Sequence, residues 1–137
     1  MSKIDSMEVN VSEVLAHERI TGGFVNELRT VVERKLAAQG ARGAGVSVTD
    51  DELQSAFDVW RAAQRLHRAE DTNNWLKETG LSLEDVESYL ETTILVSKFK
   101  DKLTRECDIR KYLEHPRTRE LVRELVYADW LRQALTE

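Results

Sequence analysis

Residues 48–103 decide the fold of this chain, and they read VTDDELQSAFDVWRAAQRLHRAEDTNNWLKETGLSLEDVESYLETTILVSKFKDKL. Thr49 is followed three residues later by Glu52, the spacing at which two side chains satisfy each other's backbone amides in a capping box. Gly80 is suited to the left-handed conformation past a helix end, and Ser82 is placed to cap the next helix. The stretch therefore predicts three consecutive helices.

Glycines divide the residues that precede this stretch. Gly22 and Gly23 predict an interruption between a helix near residues 12–20 and a second helix near residues 23–39. Residues 40–47 are predicted to be a plain linker loop, because no lysine follows their glycines as a phosphate-binding loop requires. The apolar side chains of the second helix form one stripe, which consists of Phe24, Leu28, Val31, Val32 and Leu36. A single stripe predicts that the opposite face of this helix lies in water.

The long helix after Ser82 changes its apolar face midway. One side carries Val86, Leu90 and Ile94, and roughly the opposite side carries Leu95, Phe99 and Leu103. A helix of this kind packs its two halves against different elements. Residues 104–116 are predicted to be a connection, and Pro116 suits the first position of a last helix over residues 117–135. That helix is apolar nearly all round, so it is predicted either to be central or to meet a partner.

Composition limits the class of protein. The 137 residues fit one compact domain, and the absence of alternating apolar and polar residues predicts an all-α fold. A net charge of −5 argues against a general surface for nucleic acid or anionic membrane. The N-terminus has no apolar signal region, and no segment approaches the ~18–20 apolar residues that span a bilayer. We therefore expect a cytoplasmic protein whose partners are neither nucleic acid nor membrane, and the single Cys107 agrees with a reducing compartment.

The polar side chains form no catalytic pattern. The three histidines are isolated and lack the spacing of a helical metal pair; they are His17, His67 and His115. Cys107 has no neighbour that would activate it as a nucleophile. The carboxylates at residues 50–52 and 84–85 fall in first helical turns, where the helix dipole stabilises negative charge. We expect no catalytic residue, metal or cofactor, and an enzyme site assembled from His17, Cys107 and scattered carboxylates is the weakest alternative.

The ordered string of signals resembles the N-terminal helical domain of SurA-type periplasmic chaperones and their parvulin-linked relatives. The matching residues are Val48, Thr49, Asp50, Asp51, Glu52, Leu53, Trp75, Leu76, Gly80, Leu81, Ser82, Glu84 and Asp85. The resemblance implies a single SurA N-terminal-like helical domain over residues 1–137. Its core would be residues 48–103, and the last helix, 117–135, would complete it.

The resemblance also has departures that change what it implies. A proline-isomerase domain follows the helical domain in that family, but the gap between Leu103 and Pro116 is too short to contain one, so isomerase activity is not implied. The expected lack of a signal peptide puts outer-membrane proteins in doubt as the implied clients. Small modules of this kind without a signal resemble accessory proteins of maturation systems for ribosomally made peptides. A precursor peptide, and a biosynthetic enzyme beside it, are then the implied partners.

Aromatic residues on these helices supply the candidate binding site. Crevices lined by aromatic side chains bind extended or helical peptides with little dependence on sequence. We predict a non-catalytic, chaperone-like protein that holds a peptide or unfolded polypeptide in a crevice lined by Phe57, Trp60, Trp75, Tyr89 and Trp130. Core packing is the competing role for these rings. The alternative function is that of an obligate helical subunit or adaptor of an enzyme complex, and self-association into a homodimer through the first or last helix is expected.

Overall fold

The computed structural model of the protein describes residues 9–136, and in this range the regular structure is helical throughout. The helices are α1 (Val11–Thr21), α2 (Gly23–Gly43), α3 (Asp50–Ala63), α4 (Ala69–Thr79), α5 (Leu83–Glu106), α6 (Arg110–Leu113) and α7 (Pro116–Thr136). The predicted all-α class is confirmed, whereas the SurA N-terminal-like arrangement stays a prediction. Residues 1–8, on which the expectation about a signal region rests, lie outside the described residues.

The predicted helix starts and stops in the middle of the chain are confirmed. Glu52 N donates to Thr49 Oγ1 over 3.1 Å, and Thr49 N donates to the Glu52 carboxylate over 2.9 Å, which completes the capping box. In the same way, Asp85 N donates to Ser82 Oγ over 3.1 Å, and Ser82 N donates to the Asp85 carboxylate over 2.9 Å. Gly80 ends α4 in the left-handed region at a φ of 72°. Local side-chain chemistry therefore fixes these boundaries.

The predicted loop over residues 40–47 is wrong for its first half. Gly22, with a φ of 83°, separates α1 from α2 as expected, but α2 continues to Gly43. The reason is packing: a Cβ on Gly40 would lie 3.0 Å from the ring of Phe99 on α5, so the absent side chain lets the two helices approach closely. Burial of Ala41, which is fully covered, favours the helix over the loop that glycines alone would predict.

The main buried cluster lies between the C-terminal end of α2 and the middle of α5. Ala38, Ala41 and Leu95 are its buried members, with exposed fractions of 3%, 0% and 1%. Val46, Val48 and Phe99 are partly buried and pack against them. Val86 and Leu90, nearer the start of α5, are also buried but lie outside this cluster. This agrees with the predicted change of contact face along α5.

The contacts divide the chain into two units, residues 1–99 and residues 100–137. In the second unit the predicted connection contains a helix of its own, because the Asp108 carboxylate accepts from Arg110 N at the start of α6. Pro116 is the first residue of α7, as predicted. No residue of α7 is buried, so the expectation of a central helix does not hold within this unit. The single domain closed by this helix stays a prediction.

Candidate functional site

Three of the five predicted binding residues come together where α3 meets α4. The ring centroids of Phe57 and Trp60 lie 5.7 Å apart, since the two residues are one helical turn apart on α3. Trp75 on α4 meets Trp60 edge to face, with the centroids 5.0 Å apart and the planes at 79°. All three side chains are half-buried. We call Phe57, Trp60 and Trp75 the aromatic cluster, and its edge-to-face pair joins α3 to α4.

Tyr89 has a different environment, on the contact between α2 and α5. The guanidinium carbon of Arg34 lies 4.5 Å from the centroid of the Tyr89 ring. The same guanidinium donates to Tyr89 O over 3.1 Å and to Thr93 Oγ1 over 3.0 Å. Tyr89 therefore packs with α2 through a cation–π contact, and no aromatic pair links it to the cluster among the described residues.

Trp130 belongs to α7, in the second unit of the chain. Its ring stacks on Tyr127 of the same helix, with the centroids 6.4 Å apart and the planes at 12°. The side chain is 61% exposed. Its predicted contribution to the crevice stays a prediction.

A groove runs along one face of α3 and consists of two adjoining depressions. One, of about 240 Å³, is lined by Phe57, Arg61, Ala69, Thr72, Asn73, Leu76 and Leu83. The other, of about 390 Å³, is lined by Asp50, Leu53, Gln54, Phe57, Leu83 and Glu87. Because Phe57 and Leu83 line both depressions, we treat them as one continuous feature and call it the α3 groove. Of the five predicted binding residues, Phe57 is the one found in this lining.

The floor of the α3 groove follows the helical repeat. The residues of α3 that line it are Asp50, Leu53, Gln54, Phe57 and Arg61. Apart from the adjacent Leu53 and Gln54, they are three or four residues apart, which keeps them on one broad face. Eleven residues at 1.5 Å each make this face about 16 Å long. The sequence prediction missed Arg61 and Asp50, although their position on the Phe57 face of α3 was the available signal, and it missed Glu87, which lies on α5. Leu83 carried no such signal, because its place opposite Phe57 depends on how α5 packs.

The two ends of the α3 groove differ in charge. At the α4 end, Arg61 Nε donates to Leu66 O over 3.2 Å, and its guanidinium carbon lies 5.9 Å from the Phe57 ring centroid. At the other end, the lining includes the carboxylates of Asp50 and Glu87. Within residues 9–136, none of these three charged side chains takes part in a salt bridge. Their charges are therefore available to a bound molecule.

Two carboxylates with shifted pKa values are part of helix starts rather than of the groove. The ammonium of Lys98 donates to Glu52 over 2.6 Å, and this bond, with that from the Thr49 amide, lowers the pKa of Glu52 from 4.5 to about 2. Bonds from the Ser82 amide and hydroxyl lower the pKa of Asp85. A carboxylate held in its ionised form in this way acts as a hydrogen-bond acceptor. Neither group has the raised pKa of a general acid.

The residues of the enzyme alternative lie in different units. His17 is exposed on α1 in the first unit, and Cys107, whose Sγ donates to Thr104 O over 3.1 Å, belongs to the second. In the described part of the chain, no three His, Cys, Asp or Glu side chains are grouped closely enough to hold a metal ion. None of the helices between residues 9 and 136 combines the length and hydropathy that crossing a bilayer requires. Comparisons with protein-family models, curated proteins and solved structures found no match to this chain.

Proposed function

We propose that this chain is a non-catalytic, chaperone-like protein that holds a peptide or an unfolded segment in the α3 groove. The observation that carries the proposal is the apolar middle of the groove, where Phe57 and Leu83 line both depressions. Leu83 is 40% exposed and Phe57 is half-buried, so both present surface that an apolar peptide side chain would cover. Concave apolar surface with a few polar groups at its edges is the usual form of a ligand site.

The aromatic cluster supports this proposal because Trp60 and Trp75 are outside the groove lining and pack in series with Phe57, which is part of it. Trp60 lies between Phe57 and Trp75 and holds α3 against α4, so the Phe57 ring has a fixed backing. A rigid aromatic surface loses little side-chain entropy when a peptide binds. Trp60 and Trp75 then act as support for the site, and Phe57 contacts the peptide.

The SurA-like string supports a peptide as the bound molecule, because its residues lie at or on the helices that form the groove. Thr49 and Asp50 begin α3, and Leu81 and Ser82 lead into α5. A precursor peptide of a ribosomal-peptide maturation system is the proposed client, with the biosynthetic enzyme that modifies it as a second partner. Since a flexible peptide must be ordered on binding, we expect dissociation constants in the micromolar range, about −8 kcal/mol.

A matched pair of leucine substitutions tests the groove. Leu83 lines both depressions, whereas Leu81, two residues earlier and similarly exposed, lines neither. Leu83→Gln should weaken the binding of a fluorescently labelled peptide with a Leu-Phe-Leu centre roughly fivefold, about 1 kcal/mol, and Leu81→Gln should leave it unchanged. Fluorescence anisotropy measures the affinity.

Precursor peptides encoded by neighbouring genes are titrated in the same way, to identify the client. Equal effects of the two leucine substitutions would place the binding surface outside the groove. If neither the model peptide nor any precursor peptide binds, the proposed function is wrong.

The obligate-subunit alternative is favoured by a specific observation, the exposed apolar side chains of α1, α2 and α7. No residue of α1 or α7 is buried. The large exposed apolar residues of these helices include Val11, Ile20, Val25, Leu28, Val31, Leu36, Leu121, Leu125, Val126 and Leu135. Apolar surface of this extent marks an interaction site in soluble proteins.

Light scattering separates the forms of this alternative. A homodimer would give twice the mass of 15.8 kDa at high micromolar concentration, and Leu28→Glu or Leu125→Glu would return it to a monomer. An obligate subunit would instead co-purify with another protein at fixed stoichiometry. A strict monomer that co-purifies with nothing would remove both forms.

A further inference from the structure

We infer that the α3 groove selects a dipolar segment: an extended peptide with an apolar centre, a carboxylate at one end and a cation four or five residues away. This inference rests on the proposed function and names the chemistry of the client. Three features of the described residues carry it, namely the donors at one end, the carboxylates at the other and the distance between them.

The α4 end of the groove presents hydrogen-bond donors. The Arg61 guanidinium has five N–H donors, and within residues 9–136 only Nε–H is bonded, to Leu66 O. Asn73, which lines the same depression, adds an exposed amide. This depression contains no carboxylate in its lining. A planar guanidinium with free donors matches the two oxygens of an aspartate or glutamate side chain.

The opposite end presents acceptors. Asp50, in the first turn of α3, and Glu87, on α5, both line this depression, and Gln54 lies beside them. No lysine or arginine contributes to this lining. Two carboxylates that face the same space without a cation between them favour a lysine or arginine side chain from the bound molecule.

The length of the groove sets the spacing of the two charges. Asp50 and Arg61 are separated by about 16 Å along α3. An extended peptide advances ~3.3 Å per residue, so opposite charges four or five residues apart would reach both ends. The depressions, of about 240 and 390 Å³, have the volume of a few side chains, whereas a helix is ~10 Å wide. An extended segment therefore fits better than a helical one.

The charges are expected to control selectivity more than total affinity. Apolar contact at Phe57 and Leu83 would supply most of the binding free energy, while the charged ends reject segments with the wrong sign. Because these ends are near solvent, added salt should weaken the discrimination.

Three labelled peptides with blocked termini and the same Leu-Phe-Leu centre test the inference. One carries Glu and Lys at its two ends, one carries Glu at both ends, and one carries Lys at both ends. Anisotropy with the full chain at low salt should show the Glu–Lys peptide binding about two to ten times more tightly than either of the others. The difference should shrink in ~1 M salt.

Charge reversal in the protein provides the second arm. Arg61→Glu should make the doubly basic peptide the tightest ligand. The double variant Asp50→Lys and Glu87→Lys should favour the doubly acidic one. Lys77→Glu, an equal charge change on an exposed residue of α4 outside the lining, should leave the original preference intact. Thermal unfolding checks that each variant folds, and if loss of the Leu66 bond unfolds Arg61→Glu, the double variant decides the question.

The outcomes separate this inference from the proposed function. Equal binding of the three peptides, or preferences that charge reversal does not move, would overturn the dipolar selection and leave peptide binding intact. Failure of all three peptides to bind would overturn the dipolar selection, and it would overturn the proposed function as well if no precursor peptide binds either.

Discussion

The two parts of α2 differ in burial, although they belong to one helix. In residues 38–43 the positions facing α5 are small, since Ala38 and Ala41 are buried against Leu95 and Gly40 lies against Phe99. Residues 23–36 carry most of the large apolar side chains of the helix, and these are exposed: Val25, Leu28, Val31 and Leu36 are each more than half exposed. The larger side chains therefore lie on the surface, and the smaller ones form the core.

The difference shows that proximity of a second helix decides burial in this protein. At Gly40 the absence of a Cβ allows the Phe99 ring to come within contact distance of the α2 backbone. Small residues permit such an approach, and dispersion contacts then favour a close-packed interface. The large apolar side chains of residues 23–36 stay exposed, so they remain available to another molecule.

The largest expected effect comes from truncating the buried side chain that packs against the C-terminal end of α2. Leu95→Ala should lower the free energy of unfolding by about 2–5 kcal/mol, because the residue is 1% exposed and its loss leaves a cavity beside Ala38 and Ala41. The control is Leu28→Ala in the exposed part of α2. This side chain is 54% exposed, so the loss of unfolding free energy should stay within about 0.5 kcal/mol. Urea denaturation measures both. Similar losses at the two positions would contradict the contrast between the halves of α2.

Substitutions at two glycines of α2 test the close approach of α2 and α5. Gly40→Leu should cost about 1–3 kcal/mol, since even its Cβ would meet the Phe99 ring at 3.0 Å. Gly43→Leu, one turn later on the same helix, has nothing within 4 Å of its Cβ and should be neutral or stabilise by up to about 1 kcal/mol through helix propensity. Chemical denaturation of the two variants gives the comparison. A stabilised Gly40→Leu protein would mean that Phe99 moves aside and that the approach of α2 and α5 is loose.

The capping box tests whether the start of α3 contributes to stability, as the packed end of α2 does. Thr49→Ala removes the acceptor for Glu52 N at the start of α3 and should cost on the order of 1 kcal/mol. The matched control is Thr30→Ala in the exposed half of α2, where the hydroxyl bonds only the Asn26 carbonyl of its own helix. That variant should be unchanged or slightly more stable. If both variants unfold at the same urea concentration, the capping box contributes nothing beyond helix propensity.

The smallest expected effect is the pH dependence of the stability that Glu52 contributes at the start of α3. Glu52 has a pKa of about 2 in the folded protein because Lys98 and the Thr49 amide bond its ionised form, against an ordinary value of 4.5. Between these two pH values the unfolded chain binds more protons than the folded chain, so this contribution is present above about pH 4.5 and is lost as the pH falls toward 2. Since the Glu52 side chain is still about one third exposed to solvent, at 36%, the contribution is screened and small.

Glu52→Gln should therefore make the urea midpoint less sensitive to pH between 5 and 2 than it is in the unsubstituted protein. Glu78→Gln, at an exposed carboxylate of α4 without a hydrogen bond among the described residues, should not change this sensitivity. Equal pH profiles for the unsubstituted and Glu52→Gln proteins would show that the Lys98 bond does not persist in solution.

The helix boundaries were predictable because their causes are local. The Thr49 box, the Gly80 stop and the Ser82 cap each depend on residues within one helical turn, so the sequence contains all the information. The end of α2 was not predictable in this way. Glycines at residues 40 and 43 favour a loop by themselves, and only the contact with α5 makes the helix continue.

The candidate site was predicted in part for the same reason. Phe57 and Trp60 are close because they are one turn apart on α3, and the sequence identified both. Their meeting with Trp75, the place of Leu83 opposite Phe57 and the pairing of Tyr89 with Arg34 depend on how separate helices pack. Spacing along one helix carries no information about the distance between two helices.

By itself, then, the sequence determined the all-α class, the helix starts and stops that side chains encode, and the aromatic residues on α3. Only the tertiary structure decided which apolar residues are buried and that a groove with charges of opposite sign at its ends runs along α3. The physical reason is range: a cap or a helical face is set by neighbours three or four residues away. Burial and grooves are set by helices that the chain brings together from distant positions, where shape and close packing decide the contact.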